Sequence, residues 1–130
     1  MSILQILPAL AYLGCVCAIW MIAKGAPTRG TMAWAVPVVL GAGFAVFSVI
    51  TVAQEGLLQF WVNHSTSLAG NQVWFDLLFA VTIAFYLIAP RARAVGMPLW
   101  PWALAVVATA CVALLPMLAR MIWLEQRGAR

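Results

Sequence analysis

Four long apolar runs, Ile3–Ala23, Met32–Ala53, Val73–Ala89 and Leu99–Leu124, are separated by short stretches that hold most of the polar residues. A helix rises about 1.5 Å per residue and the hydrocarbon core of a bilayer is about 30 Å thick, so roughly 17–25 apolar residues make one crossing. All four runs reach that length, the third narrowly. None of them alternates apolar and polar with a period of two, which excludes a β-barrel, and lipid leaves no other way than a helix to satisfy a spanning backbone. The pattern predicts an all-α, four-helix transmembrane bundle in a single domain over residues 1–130, with helices over about 3–24, 32–53, 72–89 and 99–125.

The punctuation between the runs sharpens these bounds. Lys24-Gly25 ends the first helix, with Pro27 preventing its continuation, and Thr31 is placed to cap the second. Within Gln54–Gln72, the residues Leu57, Leu58, Phe60, Trp61 and Val62 are interleaved with Gln54, Glu55, Gln59, Asn63 and His64. That mixture predicts a short interfacial segment of helix between helices 2 and 3, lying on the membrane. Pro90-Arg91-Ala92-Arg93 predicts the stop of the third helix, and Gly96-Met97-Pro98 leads into the fourth. Pro116 removes a hydrogen bond to the carbonyl of Val112 and predicts a kink. The first run lacks a preceding basic residue and is too long for the apolar region of a secretory signal, so it is expected to be retained.

Composition supports the membrane reading: 66% of residues are hydrophobic and 8% charged, against about 45–50% and about 25% in soluble domains. The net charge of +4 comes from cations that flank the apolar runs and form no stripe with interleaved aromatics. They read as topology signals and contacts to anionic lipid, with no nucleic-acid partner. Lys24, Arg29, Arg91 and Arg93 fall in the two loops of one face, whereas Arg120, Arg127 and Arg130 belong to the other if there are four crossings. The short-loop bias then predicts basic loops in the cytoplasm and both termini outside, with insertion in both orientations as the alternative. Trp20, Trp34, Trp100 and Trp102 are expected at one interface, and Trp61, Trp74 and Trp123 at the other.

Among residues able to carry chemistry, Asp76 stands out, since a carboxylate in hydrocarbon costs about 2.5–3.5 kcal/mol and calls for a partner or a function. Arg120, on the next run, is the expected partner, with the third and fourth helices packed antiparallel. Asn71, Gln72 and Trp74, near Glu55 and His64, complete a candidate intramembrane polar site with Asp76 and Arg120. The same residues also suit a wet membrane surface. Cys15 and Cys17 are two apart and point away from each other on a helix, and Cys111 is on another run, so packing is expected of all three. His64 is the only histidine, and no metal or cofactor is expected. A Ser65 or Ser67, His64 and Asp76 triad has no nucleophile motif behind it. Gly41-Ala42-Gly43, deep within an apolar run, indicates close helix packing.

The second half has a distinct cadence: Asn71-x-x-Trp74-Phe75-Asp76-Leu77-Leu78, then Arg91 and Arg93, Gly96-Met97, Trp100-x-Trp102 and Leu115-Pro116 before a basic end. Over roughly residues 57–127 it resembles a family of small bacterial integral membrane proteins known only as a domain of unknown function. The resemblance implies a small helical bundle in a bacterial inner membrane, with no established activity. It singles out Asn71, Asp76 and Pro116 as signature positions and gives them no role.

Three functions fit the sequence. The first is a non-catalytic bundle that packs with a membrane partner, as a homo-oligomer or in a larger complex, or binds a lipid-like hydrophobic molecule. The second is a small oligomeric transporter or channel with Asp76 as ion or proton site, because four short helices hardly enclose a solvated path. The third is a membrane enzyme acting on a lipid or isoprenoid, for which three carboxylates and one histidine are a meagre supply.

Overall fold

A computed structural model describes residues 3–25, 30 and 32–128 of the chain. The described residues form six helices: α1 (Ile3–Ala23), α2 (Ala35–Glu55), α3 (Leu58–Ser65), α4 (Leu68–Ala94), α5 (Leu99–Thr109) and α6 (Cys111–Gly128). Three of them, α1, α2 and α4, are long and apolar enough to cross a membrane. The chain divides into two compact units, Met1–Thr31 and Met32–Arg130.

The first unit is α1 and its exit. The helix closes as its sequence predicts: the Lys24 amide donates to the Trp20 carbonyl at 3.1 Å, and Gly25 turns the chain with φ +81° while donating to Ile22 at 3.0 Å. The Lys24 ammonium lies 4.8 Å from the centre of the Trp20 ring. Pro27 and Thr31, expected to break and restart the chain, lie outside the described residues.

In the second unit, α6 packs chiefly on α2, α5 on α6, and the short α3 on α4. The α2–α6 contact depends on Gly41, where a Cβ would come within 3.2 Å of the Leu115 Cβ and 3.5 Å of the Pro116 ring. Small residues thus bring these two helices together, as the Gly41-Ala42-Gly43 step predicts, although Gly43 itself faces open space. The core gathers Ile88 and Ala92 of α4, Met97 of the following turn, Val106 of α5, and Ala113, Leu114, Met117 and Met121 of α6. It is confined to one end of α4. Most of the large apolar side chains of α2 and the outer length of α4 remain exposed, the pattern expected when lipid is the solvent.

Two boundaries differ from those the sequence predicts. Pro90 does not stop the third helix, which begins at Leu68 and runs through Pro90 to Ala94. The lost hydrogen bond is tolerated because Ile88, Ala89 and Ala92 on either side of Pro90 are buried, and their packing holds the helix on course. The real stop is Gly96, with φ +74°. Its amide donates to Arg93 and that of Met97 to Ala92, a Schellman closure whose flanking apolar pair, Met97 and Ala92, is buried in the core.

The second difference is larger, because the last apolar run is not one kinked crossing. It breaks at Ala110, whose backbone stands at φ 48°, ψ −119°, well before Pro116. Had the helix continued straight from Leu99, Glu125 would lie roughly 39 Å further along it. Instead Glu125 meets Arg91, just before the turn into α5, with Arg91 Nε to Oε1 at 2.9 Å and Nη2 to Oε2 at 2.7 Å. The α5–α6 pair is therefore a hairpin, and α6 returns toward the end of α4 from which α5 set out.

A candidate polar site

Ser67 builds the local frame of the candidate site. It stands in extended conformation ahead of α4 and its hydroxyl accepts from the Gly70 amide at 3.0 Å, capping the helix. Gly70 lets α3 approach: a Cβ there would sit 2.6 Å from the Asn63 carbonyl oxygen and 3.1 Å from the His64 Cα. With α3 so placed, the His64 and Trp74 rings meet at 5.2 Å between centroids, tilted by 49°. His64 donates from Nδ1 to the Phe60 carbonyl at 2.6 Å, and Gln59 donates to the Asn63 side chain at 2.8 Å.

The remaining members of the candidate site take different places. Asn71 is exposed and donates from its side chain to the Ser67 carbonyl at 3.0 Å, which reinforces the cap. Gln72 is exposed one turn before Asp76. Asp76 itself is exposed and has no hydrogen bond or ion pair among the described residues. It lies roughly 12 Å along α4 from Leu68, inside the apolar span.

Arg120 does not join them, and no ion pair links it to Asp76 among the described residues. The reason is the direction of α6. Arg120 is five residues, roughly 8 Å, from Glu125, which sits beside Arg91, whereas Asp76 is roughly 22 Å along α4 from Arg91. Reversal at Ala110 carries Arg120 to the basic end of the unit and leaves the acid without it.

The ion pair that the structure does contain, Arg91–Glu125, was hidden from the sequence because the two residues are assigned to opposite faces as long as residues 99–124 cross once. It is bidentate and half-exposed. Nearby, the Arg127 guanidinium stacks 3.8 Å over the Trp123 ring. A shallow groove of about 740 Å³ opens here, lined by Ala94, Val95, Leu124, Glu125, Arg127 and Gly128. Cys15 and Cys17 are exposed and Cys111 is half-buried. Among the described residues no three His, Cys, Asp or Glu side chains converge.

The site therefore splits in two: a capped corner of α3 and α4 with an outward-facing acid, and a basic clasp at the far end of α4. Compared with protein-family models, curated proteins and solved structures, the chain matches none.

Proposed function

We propose that this chain is a non-catalytic protein of the bacterial inner membrane that crosses it with α1, α2 and α4 and packs against a membrane partner through the face of α4 that carries Asp76. The observation that carries this reading is the outward exposure of Asp76 in an apolar span, with no partner in its own chain among the described residues. A carboxylate facing hydrocarbon is costly, so a helix that presents one outward needs a donor from elsewhere, on another protein or on a lipid-like molecule. In this reading Lys24, Arg29, Arg91 and Arg93 are cytoplasmic, and residues before α1 are outside. The α3 segment then lies on the outer surface, its apolar Leu58, Phe60, Trp61 and Val62 exposed to the interface.

Phe79 and Ile83 are exposed on the face of α4 shared by Asp76, and a photo-crosslinking residue at either position tests the reading. In native membranes it should give a defined adduct that Asp76→Leu reduces, while thermal unfolding of the isolated protein is unchanged. An adduct indifferent to Asp76, or loss of folding in Asp76→Leu, overturns the proposal. The same outward acid also suits an oligomeric transporter or channel with Asp76 at a subunit boundary. That alternative is distinguished by proton flux into vesicles that a well-folded Asp76→Asn protein lacks.

A further inference from the structure

We infer that α5 and α6 form a re-entrant hairpin, entering and leaving the bilayer on one face, so that Arg91, Arg93, Arg120 and Arg127 gather on that face against anionic lipid. The inference rests on the reading of the chain as a membrane protein crossed by α1, α2 and α4, and concerns the part of the chain beyond α4.

Geometry supplies the first argument. The eleven residues of α5 rise about 16 Å, half of a hydrocarbon core about 30 Å thick, before the chain reverses at Ala110. The return is anchored: Glu125 is clasped bidentately by Arg91, and Met117 and Met121 share one core with Ile88 and Ala92 of α4. Along α2, the contact of Gly41 with Leu115 and Pro116 is six residues from the helix start. The end of α4 and the end of α6 thus share one end of the unit.

A reversal inside a membrane is tolerable only where its backbone polar groups are satisfied. At Ala110 they are. Its amide donates to Val106 at 2.7 Å, its carbonyl accepts from Ala113 at 3.2 Å and Leu114 at 3.0 Å, and the Thr109 hydroxyl donates to Ala105 at 2.8 Å.

Charge supplies the second, independent argument. With four crossings the basic residues divide four against three, a weak topology signal. With a hairpin, Arg120 and Arg127 move to the face of Arg91 and Arg93, where a full crossing would set them opposite. The tryptophans sort in the same way, since Trp123 joins Trp34, Trp100 and Trp102, while Trp61 and Trp74 stay at the other end. Glu125 neutralises Arg91, while Arg93 and Arg127, the latter stacked on Trp123, keep their charge available to headgroup phosphates, as juxtamembrane cations do.

The test uses the full chain with Cys15, Cys17 and Cys111 replaced by Ala and single cysteines introduced at Ser65, Gly96 or Gly128, labelled with an impermeant maleimide in sealed vesicles of known orientation. Gly96 and Gly128 should label together from the cytoplasmic face, and Ser65 from the opposite one. Labelling of Gly128 together with Ser65 would mean a full crossing and end the hairpin inference. Gly96 and Gly128 labelling together from outside would leave the hairpin intact but overturn the orientation. Native mass spectrometry on protein from vesicles of equal phosphatidylglycerol and phosphatidylcholine reads the lipid contact. Several-fold retention of phosphatidylglycerol, lost in Arg93→Gln/Arg127→Gln, is expected, and equal retention of both lipids overturns that part.

Discussion

Ala110 shows how much one residue can decide. A non-glycine residue at positive φ stores about 1–3 kcal/mol of strain, and here it is held by the clasp and core on either side. Ala110→Gly should therefore stabilise the protein by about 1 kcal/mol in detergent unfolding, whereas glycine inside a continuous helix would destabilise it by about as much. The sign of the change is the readout. At Gly41 the expectation is reversed: the added methyl meets Leu115 at its rigid Cβ, so Gly41→Ala should cost about 1–3 kcal/mol by overpacking. Gly43→Ala, which meets nothing within 4 Å, is the matched control and should leave the unfolding temperature unlowered. Gly70 is the most restrictive of the three, since its Cβ would strike a backbone carbonyl. Gly70→Ala should open the α3–α4 corner, seen as a change in Trp74 fluorescence as the His64 contact is lost.

At the scale of elements, the length of α4 and the fold of the last run are set by contacts rather than by propensity. Pro90 is a strong local stop signal, yet the helix passes through it because Ile88 and Ala92 on either side pack in the core shared with α6. Pro90→Ala should leave the helical content unchanged by circular dichroism, where a true helix terminator would lengthen the helix on removal. The actual terminator, Gly96, reads in the sequence only as part of the lead into the next helix. The Arg91–Glu125 clasp is the element-level counterpart of Ala110, joining helices 34 residues apart in sequence. Because both partners are half-exposed, it is worth about 1 kcal/mol or less. In a double-mutant cycle the two single changes to Ala should not add, and additive losses would show that the contact contributes no coupling. Truncation of Met117 or Met121, both fully buried, should cost about 2–5 kcal/mol each.

For the whole molecule, the division of labour is between a small dry core and a large apolar exterior. The core occupies the basic end of the second unit, while the end that carries Asp76, the α3–α4 corner included, holds no buried apolar residue among those described. Detergents or lipids that cover apolar surface should thus be required for a monodisperse protein, and the Asp76 end should exchange its backbone amides before the clasped end does. Hydrogen exchange of peptides from α3 and from the second half of α6 measures that contrast. Equal protection at both ends would contradict it.

Composition and the length of the apolar runs by themselves determined that the chain is helical and apolar enough to span a membrane. The exit of α1 at Gly25 and the short helix within 54–72 were also legible, because these depend on local backbone preferences that nearby residues express. The break of the last apolar run at Ala110, the separation of Arg120 from Asp76 and the meeting of Arg91 with Glu125 were not. An apolar run of 26 residues satisfies the requirement for a crossing whether it continues straight or doubles back, since lipid and a neighbouring helix reward the same side chains. Only the tertiary contacts separate the two: Gly41 against Leu115, Met117 and Met121 against α4, and a carboxylate within reach of a guanidinium 34 positions earlier.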